Sequence, residues 1–136
     1  MNADNPYNKY RKNAVTTANQ PQLAEMLYSG AVKFIRQALS HVENNNVQEA
    51  HNAIVRAQEI FEYLAETLNE KADLAFNLAH LYDYVYRRLV DANVAKDAEI
   101  LREVLGLAES LRDTWHEARQ IVAGETKHAD NADKLV

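Results

Sequence analysis

The sequence predicts an all-α protein, an antiparallel up-down four-helix bundle with a short N-terminal leader segment or helix. Only 3 glycines and 2 prolines occur in 136 residues, and so few chain-breaking residues favour long helices over the many turns of a β-protein. Apolar residues recur at alternating spacings of three and four, as on one face of a helix. The four periodic segments are joined by short connections, which makes sequential helices antiparallel neighbours.

The first helix is predicted from Gln20 to Glu43. Pro21 lies in its first turn, where proline is tolerated, and the apolar positions are Leu23, Leu27, Gly30, Phe34 and Ala38. Three asparagines at 44–46 interrupt this pattern. Asn46 followed by Glu49 resembles a capping box, which predicts the start of the second helix.

The remaining helices follow the same periodicity. The second carries Ala50, Ile54, Ala57, Phe61, Leu64 and Leu68, and the third carries Leu74, Leu78, Leu81, Val85, Leu89 and Ala92. Asp97 is the predicted cap of the fourth, whose apolar positions end at Val122. We therefore expect a leader over 1–18, the bundle over 19–123, and a polar, mobile C-terminal tail over 124–136.

Composition excludes several classes of function. The formal net charge of −5 without a basic cluster argues against nucleic acid or an anionic membrane as the main partner. No stretch approaches roughly 18 uninterrupted apolar residues, so we expect no insertion into a membrane. Cysteine is absent, which excludes disulfides and thiolate chemistry. No histidine pairs with another at helical spacing, and no phosphate-binding or nucleophile motif occurs. We expect no metal, no cofactor and no enzymatic activity, in a soluble cytoplasmic protein.

The third helix carries aromatic residues on two faces. A helix turns about 100° per residue, so Tyr82 and Tyr86 lie close together while Tyr84 points to the opposite side. A second apolar stripe therefore accompanies the core stripe. Broad apolar arcs are common in bundles, where neighbouring helices cover them, and exposed grooves for an amphipathic partner helix are the alternative.

The other helices show the same excess of apolar residues. The predicted partner-binding residues, taken from these outer stripes and from the leader, are Tyr7, Tyr10, Tyr28, Val32, Ile35, Ile60, Tyr63, Ala75, Ala79, Tyr82, Tyr86 and Val90. Tyr7 and Tyr10 lie three residues apart, which places both rings on one side of a helical turn. The leader either docks reversibly in a groove of its own protein or is a fixed staple that completes the core.

Several stretches together resemble the FliS family of bacterial flagellar secretion chaperones. They are Asn5-Pro6-Tyr7 with Tyr10, Met26-Leu27-Tyr28-Ser29-Gly30-Ala31 with Lys33-Phe34-Ile35, Leu81-Tyr82-Asp83-Tyr84, Arg87-Arg88-Leu89-Val90 with Ala92-Asn93, and Arg112-Asp113-Thr114-Trp115. The resemblance covers roughly residues 5–120, in order and in spacing. Ser29, where the family commonly has an acidic residue or Asn, and Tyr86, at a variable position, depart from the pattern.

This resemblance implies an export chaperone that binds the C-terminal segment of newly made flagellin in the cytoplasm. The binding prevents premature polymerisation and aids delivery to the flagellar secretion apparatus, and a further flagellar regulator is an additional candidate partner. The resemblance also implies that the N-terminal leader can occupy part of the bundle's flagellin-binding surface when flagellin is absent, and Tyr7 and Tyr10 match leader residues implicated in flagellin binding. We expect a monomer or a weak dimer.

Two alternative functions remain at this point. A histidine phosphotransfer bundle would use His51 or His80 as the phosphate carrier, although neither has the nearby lysine and glycine that such a site requires. A self-associating structural bundle would use the outer stripes to form a homodimer.

Overall fold

The computed structural model describes residues 20–134, and this range forms four α-helices without a strand. We number them α1 (Gln20–Glu43), α2 (Val47–Glu66), α3 (Ala75–Ala95) and α4 (Ala98–Lys134). The predicted all-α class is confirmed, and the first helix has the predicted bounds. The leader, including Tyr7 and Tyr10, lies outside the described residues.

The helices pack as a ring in the order of the chain. α1 and α3 each contact both α2 and α4, so that α2 lies diagonally opposite α4. Two ion pairs show the direction of packing: Arg36 lies 3.3 Å from Glu109, and Arg102 lies 3.0 Å from Glu43. Residue numbers rise along α1 while they fall along α4, so these helices are antiparallel. The predicted up-down bundle is confirmed.

The core combines a few large side chains with many alanines. Phe61, Ile35, Ile54 and Leu89 are almost completely buried. Eight alanines have at most 7% of their surface exposed, namely Ala31, Ala38, Ala50, Ala53, Ala57, Ala75, Ala92 and Ala108. Small residues at the contacts let helices approach to the lower end of the usual 8–10 Å separation. The bundle is therefore held together by close helix contacts as well as by large apolar side chains.

The two predicted helix caps have different outcomes. Asp97 caps α4 as predicted, since its Oδ1 accepts hydrogen bonds from the backbone N–H of Glu99 at 2.8 Å and of Ile100 at 3.3 Å. Asn46 occupies the position before α2 but makes no capping hydrogen bond with its side chain. Its backbone N–H instead donates to the His41 carbonyl at 2.8 Å, which closes the turn after α1. The predicted capping box is wrong.

The helix α4 continues to Lys134, about three turns beyond the predicted end near Val122. Gly124 disfavours a helix by only about 1 kcal/mol relative to alanine, and no proline follows it. The predicted apolar pattern thus ends at Val122, before the helix does. The expected mobility of residues 124–136 stays a prediction.

Leu74 differs from its expected place in the core of the third helix. It directly precedes α3, its φ is 67° in the left-handed region, and 69% of its surface is exposed. The connector 67–74 reverses the chain between α2 and α3, and its last residue adopts this conformation to start the helix. A leucine in the left-handed region is strained by roughly 1–2 kcal/mol.

Leu74→Gly is expected to raise the free energy of unfolding by about 0.5–1 kcal/mol, because glycine adopts the left-handed conformation without strain. The gain is smaller than the full strain because glycine also increases the entropy of the unfolded chain. Chemical denaturation monitored by circular dichroism measures the change. Leu74→Ala is the control, since alanine keeps the strain and should not stabilise. An equal gain in both variants would contradict the strain at this position.

Candidate partner-binding surface

Five residues predicted on outer stripes lie inside the bundle. Their exposed fractions are between 0% and 7%, and they are Tyr28, Val32, Ile35, Ala75 and Tyr82. Their assignment to an exposed stripe is corrected, because the broad apolar arcs of neighbouring helices converge and cover one another. At these five positions the additional apolar residues are therefore covered by neighbouring helices and do not form an exposed groove.

Tyr28 and Tyr82 form a pair across the centre of the bundle. Their hydroxyls share a hydrogen bond of 2.5 Å, which joins the diagonal helices α1 and α3. The ring of Phe61 lies 6.1 Å from that of Tyr82, and the indole of Trp115 meets the Tyr28 ring edge-on at 6.2 Å. Burial raises the pKa of Tyr28, and burial together with the hydrogen bond that its hydroxyl shares with Tyr28 raises the pKa of Tyr82. The pair satisfies two buried hydroxyls at once.

A cleft of about 540 Å³ opens at the end of the bundle next to this pair. It lies between the first turns of α1, the end of α2, the connector 67–74 and the start of α3. Its lining is mainly apolar and comprises Leu23, Ala24, Leu27, Tyr28, Leu64, Thr67, Leu68, Asn69, Ala72, Asp73, Leu78, Tyr82 and Trp115. Leu23 and Ala24 belong to the first turns of α1, so the cleft begins close to the point where the leader joins the bundle.

A second apolar feature runs along the outside of α3. Phe76, Val90 and Val94 are 76%, 38% and 84% exposed, Ala79 is also exposed, and Tyr86 is half-buried. At about 100° per residue these five side chains fall within an arc of about 80°, and they extend over about 27 Å of helix. Asn93 at the edge of this arc hydrogen-bonds to His51 of α2 at 2.9 Å, so the arc lies on the side of α3 that is next to α2.

The helix α2 adds apolar residues to the same edge. The contacts His51 to Asn93 and Phe61 to Tyr82 fix the register of the two antiparallel helices. In this register, Val47, which is 59% exposed, lies at the level of Val94, and the half-buried Val55 lies at the level of Val90. We call this surface the α2/α3 groove, lined by Val47, Val55, Phe76, Ala79, Tyr86, Val90 and Val94.

Two predicted residues of α2 lie away from this groove. Ile60 packs towards α1, where its Cδ1 comes within 3.3 Å of the position that a Cβ on Gly30 would occupy. Tyr63 is half-buried on the outer face of α2 beside Glu59, Glu62 and Glu66. Of the residues predicted from the outer stripes, the structure brings together only Ala79, Tyr86 and Val90 in the groove.

Charged side chains cover two other edges of the bundle, between α3 and α4 and between α4 and α1. Arg88 Nε donates to Glu103 at 2.8 Å and the Tyr84 hydroxyl donates to the same carboxylate at 2.9 Å, which joins α3 to α4. These hydrogen bonds, first that of Arg88, lower the pKa of Glu103. Arg36 and Arg102 join α4 to α1, as described above. The α2/α3 groove differs from these edges because its outer surface is mainly apolar, with Asp83 as a charged residue inside the arc of α3.

Two ion pairs form within α3. Arg87 pairs with Asp83. Arg88 pairs with Asp91, at 3.3 Å. Arg88 faces α4 and holds Asp91 and Glu103 together. The pairs of Arg88 lie on the side of α3 that faces α4, whereas Asp83 lies within the arc of the groove, between Ala79 and Tyr86.

Other candidate chemistry lacks support in the described residues. Within 20–134, no group of three His, Asp or Glu side chains is arranged to hold a metal ion. No helix in this range is long and apolar enough to cross a membrane. His51 is engaged with Asn93, and His80 meets the ring of Phe76 edge-on at 4.4 Å. Both histidines therefore contribute to the groove and its margin.

The fold and this surface define an antiparallel four-helix bundle with an apolar groove along one edge. The sequence model of the protein family described as flagellar protein FliS matches residues 3–122 of this chain. The flagellar secretion chaperone FliS of Bacillus subtilis is 41% identical over 120 residues, which cover 88% of this chain and 90% of the relative. The chain belongs to the FliS family. The resemblance seen in the sequence and the role of an export chaperone are thereby confirmed.

Further similarities agree with this assignment. The flagellar secretion chaperone FliS of Salmonella typhimurium is 35% identical over 107 residues, covering 76% of this chain and 79% of that protein. A crystal structure of a bacterial flagellar chaperone has a TM-score of 0.70 and 20% identity, covering 84% of this chain and 94% of the other. At this identity the structural similarity supports the fold alone.

Proposed function

We propose that this protein binds the C-terminal segment of flagellin in the cytoplasm by helix-in-groove capture. Binding prevents premature polymerisation and aids delivery to the flagellar export machinery. The observation that carries this proposal is the α2/α3 groove, where exposed apolar side chains extend over about five turns of α3. An apolar strip of this length, interrupted on α3 by Asp83 and its ion pair with Arg87, is typical of surfaces that accept the apolar face of an amphipathic helix.

Energetics favour a second contact area. Ordering a disordered segment costs about 2–5 kcal/mol or more, and such complexes bury roughly 1,000–3,000 Å². One groove on a helix pair supplies only part of this area. The end cleft of about 540 Å³ supplies additional apolar surface at the other side of the connector 67–74. We propose that the flagellin segment occupies both, which would give Tyr28 and Tyr82 a contact role from inside the cleft.

The leader is proposed as the occupant of the cleft when flagellin is absent. It joins the bundle next to Leu23 and Ala24, which line the cleft, and Tyr7 and Tyr10 supply two rings for an apolar site. Release of the leader would then let flagellin take the same surface. The partners of this cycle are flagellin, the export machinery and a further flagellar regulator. The cycle requires no catalysis and no cofactor, and a monomer suffices.

Ala79→Glu and Val90→Glu are each expected to weaken binding of the flagellin segment at least about tenfold, because each places a charge in an apolar contact. Tyr10→Ala is expected to change the affinity through the leader. Isothermal titration calorimetry with the C-terminal flagellin segment measures these effects. Ser110→Glu, an equivalent addition of charge on the exposed face of α4, is the control and should bind as the unchanged protein does.

Two results would contradict this proposal. One is unchanged affinity in Ala79→Glu, Val90→Glu and Tyr10→Ala together, which would reject the groove and the leader as contact surfaces. The other is a stable dimer of the free protein, detected by light scattering, that Val90→Glu dissociates. In that case the groove would serve self-association instead of capture.

A further inference from the structure

Three polar side chains connect α2 to α3 at one end of the α2/α3 groove. They are His51 of α2, Asn93 of α3 and Lys96, which directly follows α3. Asn93 Nδ2 lies 2.9 Å from His51 Nδ1, and Lys96 Nζ lies 2.7 Å from Asn93 Oδ1. The imidazole is exposed, whereas Asn93 and Lys96 are half-buried. We call these three residues the His51 cluster.

The ammonium group of Lys96 determines which way the Asn93 amide faces. An ammonium group only donates hydrogen bonds, so the atom of Asn93 that it contacts is the carbonyl oxygen. The amide nitrogen then faces His51 and donates to its Nδ1. A histidine ring has an acceptor nitrogen only when it is neutral. The contact between α2 and α3 therefore requires a neutral His51 with its proton on Nε2.

Protonation of His51 is incompatible with this arrangement. Both ring nitrogens of a protonated histidine donate, so two donors would face each other across the contact. The Asn93 amide cannot turn its oxygen towards the ring without giving up the hydrogen bond from Lys96. Histidine is the side chain that changes charge between about pH 5 and 8. The contact is thus expected to break within this pH range.

The charges around the cluster act in the same direction. Lys96 faces His51 through the Asn93 amide, so a proton on the imidazole adds a second positive charge close to the first. Charged groups of the other elements at this end of the bundle form contacts of their own: His41 of α1 with Glu49 of α2, Arg88 of α3 with Asp91, Arg102 of α4 with Glu43 of α1, and Asp97 with the first backbone N–H groups of α4.

The cluster lies beside the apolar residues that form this end of the groove. His51 is one helical turn from both Val47 and Val55 of α2, and Asn93 is next to Val94 on α3. Breaking the contact removes a link between the two helices at this level. A wider groove then loses van der Waals contacts with a bound helix, because these contacts weaken steeply with distance.

We propose that the His51 cluster makes partner binding in the α2/α3 groove dependent on pH. Neutral His51 holds α2 and α3 at the spacing that accepts an amphipathic helix, and its protonation opens this end of the groove. This inference rests on the proposed function and adds a regulation of the same site. Loss of one hydrogen bond between neutral groups is expected to weaken binding about two- to tenfold.

The first test uses the free protein and needs no flagellin. NMR spectra of the labelled protein follow the side-chain amide of Asn93 and the ring of His51 from about pH 8 to about pH 5.5, the range in which histidines titrate. The amide resonances should shift together with protonation of the ring. An Asn93 amide that does not respond to this titration would overturn the proposed contact.

The second test measures affinity for the C-terminal flagellin segment by calorimetry at about pH 8 and about pH 5.5. The unchanged protein should bind about two- to tenfold more weakly at the lower pH. His51→Asn should lose this dependence, because its Oδ1 is as far from the backbone as Nδ1 and accepts at either pH. Asn93→Asp should reverse it, since a carboxylate accepts from both Lys96 and protonated His51.

His116→Asn is the control for removing a titrating ring. His116 belongs to α4, which lies diagonally opposite α2, and it pairs with Glu25 of α1. Its substitution leaves the His51 cluster intact, so this variant should keep the pH dependence of the unchanged protein. A loss of affinity at low pH that His51→Asn shares in full would come from other titrating groups and would reject the inference.

The outcomes separate this inference from the proposed function. If the segment binds equally well at both pH values, the regulation is rejected while capture in the groove stands. If the unchanged protein does not bind the segment at either pH, the proposed function fails and its regulation fails with it. The titration of the free protein distinguishes that failure from an error in the hydrogen bonds of the cluster.

Discussion

Replacing Phe61 with alanine is expected to lower the free energy of unfolding by about 3–5 kcal/mol, the usual range for removing a buried phenylalanine. The side chain is 1% exposed and its ring packs 6.1 Å from that of Tyr82. The neighbouring helices cannot close the resulting cavity, because buried alanines such as Ala57 already hold them close together. A bundle of 136 residues has a total stability of roughly 5–15 kcal/mol, so this single change removes a large part of it.

Urea denaturation measures the loss, and Phe76→Ala provides a matched control. Phe76 begins the exposed stripe of α3 and keeps 76% of its surface in solvent, so its removal should change the free energy of unfolding by less than about 0.5 kcal/mol. The two substitutions thus test the contributions of the core and of the groove separately. Equal losses for both would contradict the burial described here, while binding of flagellin should weaken only in the stable Phe76→Ala variant.

Tyr28→Phe and Tyr82→Phe are each expected to lower the free energy of unfolding by about 1–3 kcal/mol. Each single substitution leaves one buried hydroxyl without its partner, and an unsatisfied buried group costs more than the net value of the hydrogen bond. In the double variant both hydroxyls are absent and the two rings remain. The double variant should therefore be more stable than the sum of the two single losses predicts, with a coupling energy of about 1 kcal/mol or more.

Denaturation of the four proteins completes this double-mutant cycle, and pH provides an independent measurement. The pKa of both tyrosines is raised in the folded state, mainly by burial. A raised pKa of this kind contributes stability that is present below the unfolded value of about 10 and is lost as the pH rises above it. The unchanged protein should thus lose stability in alkaline solution more steeply than the double variant. Additive effects of the single substitutions would show that the hydroxyls do not interact.

The helices and their order could be predicted from the sequence because both depend on local information. The spacing of Leu23, Leu27 and Phe34 identifies a helix face, and Asp97 marks the start of α4 through a hydrogen bond to its own neighbours. The conformations of Leu74 and Asn46 could not be predicted in this way. Each is set by the packing of the two helices that the residue connects, and the type of side chain does not indicate it.

The candidate site was predictable only in part, for a similar reason. Helical periodicity places Tyr82 and Val90 on adjacent parts of the surface of α3. It does not show how much of that surface the adjacent helix covers. Tyr82 is covered by α1 and α2 through Tyr28 and Phe61, whereas Val90 remains at the rim. Phe76 and Val94 could have been found from the same stripe, since both lie only about 40° beyond Val90.

The alanine-rich interior has a consequence for what the protein can hold. Three of the eight buried alanines, Ala50, Ala53 and Ala57, belong to α2. These small side chains let α2 approach its neighbours closely, while Val47 and Val90 lie at the rim. The width of the α2/α3 groove is therefore set by the buried alanines between the helices. A valine at an inner position would push the two walls apart and alter the fit of any guest helix without touching it.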